Sequence, residues 1–299
     1  MGEVAEKSPG LEKSETEAPQ LVIDIGDMPV VVRSDSPEFL RMLEGRYAGF
    51  ISDTLPAKAG SLRTVPPGRG PEGQLYPRFE FDVELVPPGK VTDADDVSVR
   101  FDGRRWLIER GDLRTEFDPA TRRGRIVQSA NPYAIDAALR ILHSLVLARE
   151  GGLLMHAASA VRNSKAFLFA GVSEAGKTTI SRLAPPDATL LTDEISYLRR
   201  NGHGHVAYGT PFAGELAKVG ENVRAPLAAV YLLHKGQENR IEPLPQRDAV
   251  RLLLQNVLFF AHDPELVGMV FKSACELARQ VPVQRLTFFP DARVWELIG

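Results

Sequence analysis

The stretch that decides the fold reads Phe167-Leu168-Phe169-Ala170-Gly171-Val172-Ser173-Glu174-Ala175-Gly176-Lys177-Thr178-Thr179-Ile180. Gly171 to Thr178 fill every required position of the phosphate-loop pattern G-x-x-x-x-G-K-S/T, and the apolar residues before them supply the strand that must lead into it. The spacing has a mechanism. Glycines let successive backbone N–H groups turn inward on an anion, the following helix presents its positive N-terminus, and the lysine reaches the outer phosphates. The nucleotide-binding candidates are therefore Gly171, Ser173, Ala175, Gly176, Lys177, Thr178 and Thr179, with the Thr178 hydroxyl available to Mg²⁺. Glu174 is an anomaly, because an acid in a loop built for anions should point outward.

Downstream, the apolar run Ala188 to Thr192 ends in Asp193-Glu194, acids delivered at the strand edge where ligands of open α/β sheets lie. One acid can hold Mg²⁺ and the other can accept a proton from an attacking hydroxyl, with the assignment open between them. Neighbouring strand residues point to opposite faces, so both serve one site only if the strand ends there. Upstream, His156 sits in the apolar run Leu153 to Val161, where a lone histidine reads most simply as a hydrogen-bonded core residue. His143, His203, His205, His234 and His262 show no paired metal spacing, and His203-Gly204-His205 reads as a surface turn.

Residues 1–20 are rich in Glu, Lys, Ser and Pro and cannot offset their ordering entropy, which predicts a disordered tail. Residues 21–130 read as a strand-rich α+β module. It opens with a hairpin through Gly26-Asp27, then a short helix capped by Ser36 and ended by Gly45. Strands follow at 79–85, 97–101, 106–109 and 124–127, beyond a stretch at 57–77 so rich in Gly and Pro that no structure is assigned to it. A junction helix at 131–151, capped by Asn131 and stopped by Gly151-Gly152, opens a second unit over 131–299. There strands alternate with helices, the mark of an α/β layer fold.

Among 299 residues, 36 Lys and Arg stand against 39 Asp and Glu, so no basic field exists to hold nucleic acid. Cys275, the single cysteine, rules out an internal disulfide and any multi-thiolate metal site. No apolar run approaches a membrane span and the N-terminus lacks a signal-peptide core. These features lead to the expectation of a cytoplasmic protein with neither nucleic-acid nor membrane partners.

The order His156, then Gly171 to Thr179, then Leu191-Thr192-Asp193-Glu194 resembles the catalytic domain of HPr kinase/phosphorylase. The loop with Gly176-Lys177-Thr178-Thr179-Ile180-Ser181 is also similar to ATP-dependent phosphoenolpyruvate carboxykinase, whose fold that kinase shares. Gly209-Thr210-Pro211-Phe212 with Gly214-Glu215, and Thr287-Phe288-Phe289-Pro290-Asp291 with Val294-Trp295, resemble the shorter HPr-kinase-related proteins of bacteria. The resemblance covers Gly152 to the C-terminus. It implies a phosphoenolpyruvate carboxykinase-like P-loop kinase domain behind the smaller module, with ATP on Gly171 to Thr179 and Mg²⁺ on Thr178 with Asp193 or Glu194. His156 then joins the site, and the acid pair faces a serine hydroxyl of a protein or peptide. A homo-oligomer is a further implication, although no interface is legible in the sequence.

Two departures limit the transfer. Glu194 stands where the HPr enzyme has aspartate, and its Arg-containing segment after the catalytic loop has no counterpart, so neither phosphorylase activity nor HPr as substrate is carried over. Two other classes stay open: a small-molecule P-loop kinase, and a nucleotide-responsive binding protein with little turnover. Against the first, no arginine-rich lid segment is visible late in the chain; Arg247 and Arg251 come nearest and read as helix-face charges. Because residues 1–17 offer nothing to a core, deleting them should leave the melting temperature unchanged in a thermal denaturation comparison of the two chains. A large drop would mean that the segment is docked.

Overall fold

The computed structural model describes residues 18–52, 78–88, 97–216 and 219–299. Of the expected tail 1–20, residues 1–17 lie outside them, as does the breaker-rich stretch 57–77, whereas Gln20 is drawn into the first strand by pairing with Arg33. The chain starts as a hairpin of β1 (Gln20–Ile25) and β2 (Met28–Arg33), and the two turn residues Gly26 and Asp27 both take left-handed backbone, at φ 64° and 60°. That geometry matches the right-handed twist of the paired strands. Helix α1 (Pro37–Arg46) follows, with the Ser36 hydroxyl accepting the Phe39 N–H at 3.2 Å. The helix passes through Gly45 and closes at Tyr47, whose N–H returns to the Leu43 carbonyl, so Gly45 does not end it.

Strands β3 (Phe79–Leu85), β4 (Ser98–Phe101), β5 (Trp106–Arg110), β6 (Leu113–Asp118) and β7 (Arg123–Gln128) complete a seven-stranded sheet in the order β1-β2-β3-β7-β6-β5-β4. β6 is a strand that sequence reading passes over. Its inward residues are Leu113, Thr115 and Phe117, and the polar threonine breaks the apolar alternation that marks a half-buried strand.

The second sheet comprises β8 (Leu153–Arg162), β9 (Lys165–Ala170), β10 (Thr189–Thr192), β11 (Ile195–Asn201), β12 (Gly204–Tyr208), β13 (Arg224–Lys235), β14 (Arg240–Pro243) and β15 (Val283–Phe288). Parallel pairing is confined to β9, β13 and β15; every other pair in this sheet is antiparallel. Hydrogen bonding runs from β8 through β11, β12 and β13 and returns through β9 to β8, a closed circuit. From β10 to β13 four strands follow without an intervening helix, so the alternation expected for the whole unit holds only in parts. His205 lies inside β12 and is 4% exposed; the surface turn is restricted to its neighbour His203. Strand alternation turns the His205 ring inward, which the short Gly-containing sequence hides.

Helices α3 (Lys177–Arg182), α4 (Gln246–Leu254) and α5 (Pro264–Gln280) flank this sheet, with a 3-10 turn at Ala292–Leu297. The junction helix α2 (Pro132–Glu150) is capped by Asn131 and closed by Gly151 in left-handed backbone. It packs against β6, β7 and α1 of the first sheet and against β8, β11 and α5 of the second, so one apolar core runs through both. A separate cluster on the opposite face joins Phe169, Ile180, Phe288, Val294 and Trp295.

The Gly26 turn abuts the second unit. A Cβ there would lie 2.3 Å from Cε1 of Tyr197, in left-handed backbone that a side chain also disfavours. Gly26→Ala should therefore cost about 2 kcal/mol of stability through overpacking and backbone strain. Gly103→Ala, equally left-handed at φ 98° but facing open space, should cost about half as much. Urea denaturation of the two variants checks the difference.

Candidate functional site

β10 and β11 together form one long antiparallel partner of β8, from Thr189 opposite Val161 to Leu198 opposite Leu153, with the register shifting by one residue at a bulge between Leu190 and Thr192. Beyond that bulge the partner breaks at Asp193-Glu194. The cause is local: the Thr192 hydroxyl accepts the N–H groups of both Glu194 and Ile195 at 3.1 Å, drawing the backbone out of the ladder. The strand thus ends at the acids and resumes after them, and the two carboxylates diverge.

Asp193 turns inward and is 1% exposed. Its two oxygens accept the N–H groups of Gly214 and Leu216, each at 2.9 Å. Glu194 stays accessible, its side chain 29% exposed, with Oε1 3.5 Å from Nδ1 of His156 on β8. His156 is itself 35% exposed along its side chain, so it faces the site rather than the core. A Cβ on Gly214 would fall 2.7 Å from Oε2 of Glu194 and 3.0 Å from Oδ2 of Asp193, so a side chain there would push the Glu194 carboxylate aside. The next residue, Glu215, accepts a hydrogen bond from the Thr178 hydroxyl at 3.1 Å.

The phosphate loop spans the gap between β9 and α3. Gly176 takes φ 111°, and the Phe288 ring fills the place a Cβ would need, 2.5 Å from that position. The Trp295 indole N–H donates to the Ile180 carbonyl at 3.1 Å, so the C-terminal segment is seated behind the loop and its helix. Glu174 is exposed in left-handed backbone, pointing outward as an acid there should. Lys177 is buried and its ammonium donates to the carbonyls of Gly171 and Val172 at 3.0 and 3.3 Å. Burial pulls its pKa below the ordinary lysine value, against the opposing pull of Glu194 and Glu215.

Where β9 leaves β8 to become the loop, Asn256 takes over. Its carbonyl accepts the His156 N–H at 2.7 Å and its side-chain oxygen accepts the Gly171 N–H at 3.1 Å, tying the loop to the histidine strand. Burial lowers the His156 pKa first, Lys177 lowers it further, Glu194 opposes, and Arg140 of α2 lowers it again. The imidazole is therefore neutral at neutral pH.

The structure brings His156 and Glu194 together with Lys177 near both, joins Thr178 to Glu215 at 3.1 Å, and buries Asp193 behind Gly214 and Leu216. Sequence reasoning missed Asn256 and Arg140: the first is a polar residue at the end of an apolar run, the second a charge on a helix otherwise buried on nearly every side. Glu215 entered only through a resemblance. Among the described residues no three His, Cys, Asp or Glu side chains cluster closely enough to hold a metal by themselves.

Residues 133–299 match the family SynChlorMet cassette protein ScmC. The chain belongs to that family. The ScmC match begins in the first turn of α2 and takes in the whole second sheet, the phosphate loop and the acid pair, while the first sheet lies outside it. No curated protein matches the chain. Among the described residues no helix is long and apolar enough to cross a membrane.

The unequal burial of the two acids gives unequal expectations. Asp193→Asn turns an acceptor of two backbone N–H groups into a side chain that can accept only on one atom, and should lose about 1–3 kcal/mol. Glu194→Gln, on an accessible carboxylate, should change stability by less than about 0.5 kcal/mol. Equal losses in chemical denaturation would contradict this division.

Proposed function

We propose that this ScmC-family protein is an ATP-dependent kinase transferring a phosphoryl group to a serine hydroxyl of a protein or peptide. In this reading residues 131–299 form a P-loop kinase domain of the phosphoenolpyruvate carboxykinase-like, HPr-kinase-related kind, acting in the cytoplasm. The observation that carries the proposal is that the lysine of a complete phosphate-loop motif lies near enough to act on an accessible carboxylate and on the neutral histidine paired with it.

The backbone N–H groups from Gly171 to Thr179 receive the phosphates. Lys177 exchanges the carbonyls of Gly171 and Val172 for phosphate oxygens, a stronger charge-assisted contact. Thr178 and Glu215, whose oxygens lie 3.1 Å apart, are hard donors of the kind Mg²⁺ takes in nucleotide sites, where one or two protein oxygens suffice beside phosphates and water. When bound, the ion neutralises charge on the phosphate oxygens. Glu194 accepts the proton of the serine hydroxyl, whose oxygen bonds to the γ-phosphorus as the bond to ADP breaks. His156 holds Glu194 in place. Asp193, a candidate base or metal ligand by sequence, acts here as a positioning residue, because both its oxygens are committed to backbone.

The test is γ-labelled ATP with Mg²⁺ and a library of serine peptides. Lys177→Ala should weaken ATP binding by about tenfold or more with an unchanged circular dichroism spectrum. Glu194→Gln should keep ATP affinity and lose transfer by about 100-fold or more. Unchanged ATP affinity in folded Lys177→Ala would sink the nucleotide site, and full transfer by Glu194→Gln would sink the base.

A further inference from the structure

Arg140 stands out among the charged groups near Glu194. It lies one turn along α2 from Asp136, its natural partner on the same helix face. Asp136, however, is turned to other partners: one oxygen accepts from Arg46 at 2.5 Å and the other from the Tyr47 hydroxyl. Arg140 consequently makes no hydrogen bond or ion pair among the described residues, and its buried Nε has no acceptor. Its guanidinium rests on the Phe212 ring, 4.9 Å from the centroid, on the loop that continues to Gly214 and Glu215. Removal from water lowers its pKa, with Asp136 and Glu194 opposing at a distance.

A half-buried guanidinium without a carboxylate is costly unless a ligand completes it. Lys177, coming from the loop, and Arg140, coming from α2, both act on His156 and Glu194. Lys177 is committed to ATP in the proposed reaction. From this we infer that Arg140 is the acceptor-binding residue and that it recognises an anionic group, a carboxylate close to the hydroxyl that is phosphorylated. The aromatic platform fixes the fork, and a planar carboxylate matches it with two parallel hydrogen bonds. This inference rests on the kinase reading for the identity of the second substrate, but the anion site itself does not need turnover. The carboxylate has two sources, the main-chain carboxylate of a free hydroxy amino acid or an acidic side chain beside serine in a peptide.

The experiment uses the full-length protein with Mg·ADP and ¹⁵N-labelled arginine. The Arg140 Nε signal is assigned from its loss in Arg140→Lys, and the probes are L-serine, acetyl-serine amide and acetyl-glutamyl-serine amide. At least one carboxylate-bearing probe should shift that signal and bind about tenfold or more tightly than the neutral amide, and Arg140→Lys should remove the difference while leaving Mg·ADP affinity unchanged. A shift with L-serine alone points to a free amino acid, and one with the glutamyl peptide alone points to an acidic peptide. If neither carboxylate binds better than the amide, or Arg140→Lys keeps the preference, the inference is overturned. Phosphoryl transfer is read separately with labelled ATP. Carboxylate binding without transfer to any probe or peptide removes the kinase reading and leaves the anion site, whereas transfer to the neutral amide with no Arg140 effect does the reverse.

Discussion

The carboxylate of Asp193 accepting two backbone N–H groups is the contact on which the rest of the site depends. It holds Gly214 and Leu216 across the end of β10, and through them it fixes the segment from Pro211 to Glu215. That segment touches nearly every group of interest. Phe212 carries Arg140, Gly214 lies against Glu194, and Glu215 takes the Thr178 hydroxyl. A buried carboxylate is expensive unless it is hydrogen-bonded, and here backbone donors meet the need without introducing a cation that would compete for phosphate. The acid that looks most like a catalyst in the sequence is thus better suited to holding the loop that places the others.

The first sheet reaches this segment too. Arg46, at the end of α1, donates to the Pro211 carbonyl at 3.4 Å while also pairing with Asp136 of α2. With the Tyr47 hydroxyl on the same carboxylate, Asp136 becomes a three-way junction of α1, α2 and the site loop. A buried pair of this sort adds little net stability over an apolar replacement, but losing one member leaves an uncompensated charge. Its structural effect is register. The module outside the ScmC match therefore shares the construction of the site, and the apolar core running on both sides of α2 transmits its packing directly.

Two restrained cations, Lys177 and Arg140, share the site with two accessible carboxylates, Glu194 and Glu215. Lys177 and Arg140 both sit in surroundings that lower their proton affinity, and His156 is held neutral by the same desolvation. Among the described residues neither cation has a carboxylate in hydrogen-bond contact, so bound negative charge would stabilise both. Triphosphate on one side and an acceptor carboxylate on the other would supply it, which connects the proposed reaction to the inference about Arg140.

Local sequence was sufficient for features whose cause is local. Gly171 to Thr178 declare a glycine loop between a strand and a helix because the spacing puts glycine where left-handed backbone is needed, at Gly176. Gly26-Asp27 declare a hairpin because two successive left-handed residues admit few alternatives, and Ser36 and Asn131 declare helix starts because their side chains cap nearby N–H groups. The acid pair and its divergence were also readable, since strand alternation sends neighbours to opposite faces. What the sequence left undecided was which acid faces solvent, because that choice depends on a loop some twenty residues further on folding back over Asp193. It was silent on Asn256, which meets Gly171 only where β9 leaves β8, and on Arg140, whose partner is taken by residues of α1 about ninety positions earlier. Those assignments are contests for hydrogen-bonding partners between segments distant in the chain, and only the packed tertiary structure brings the competitors together.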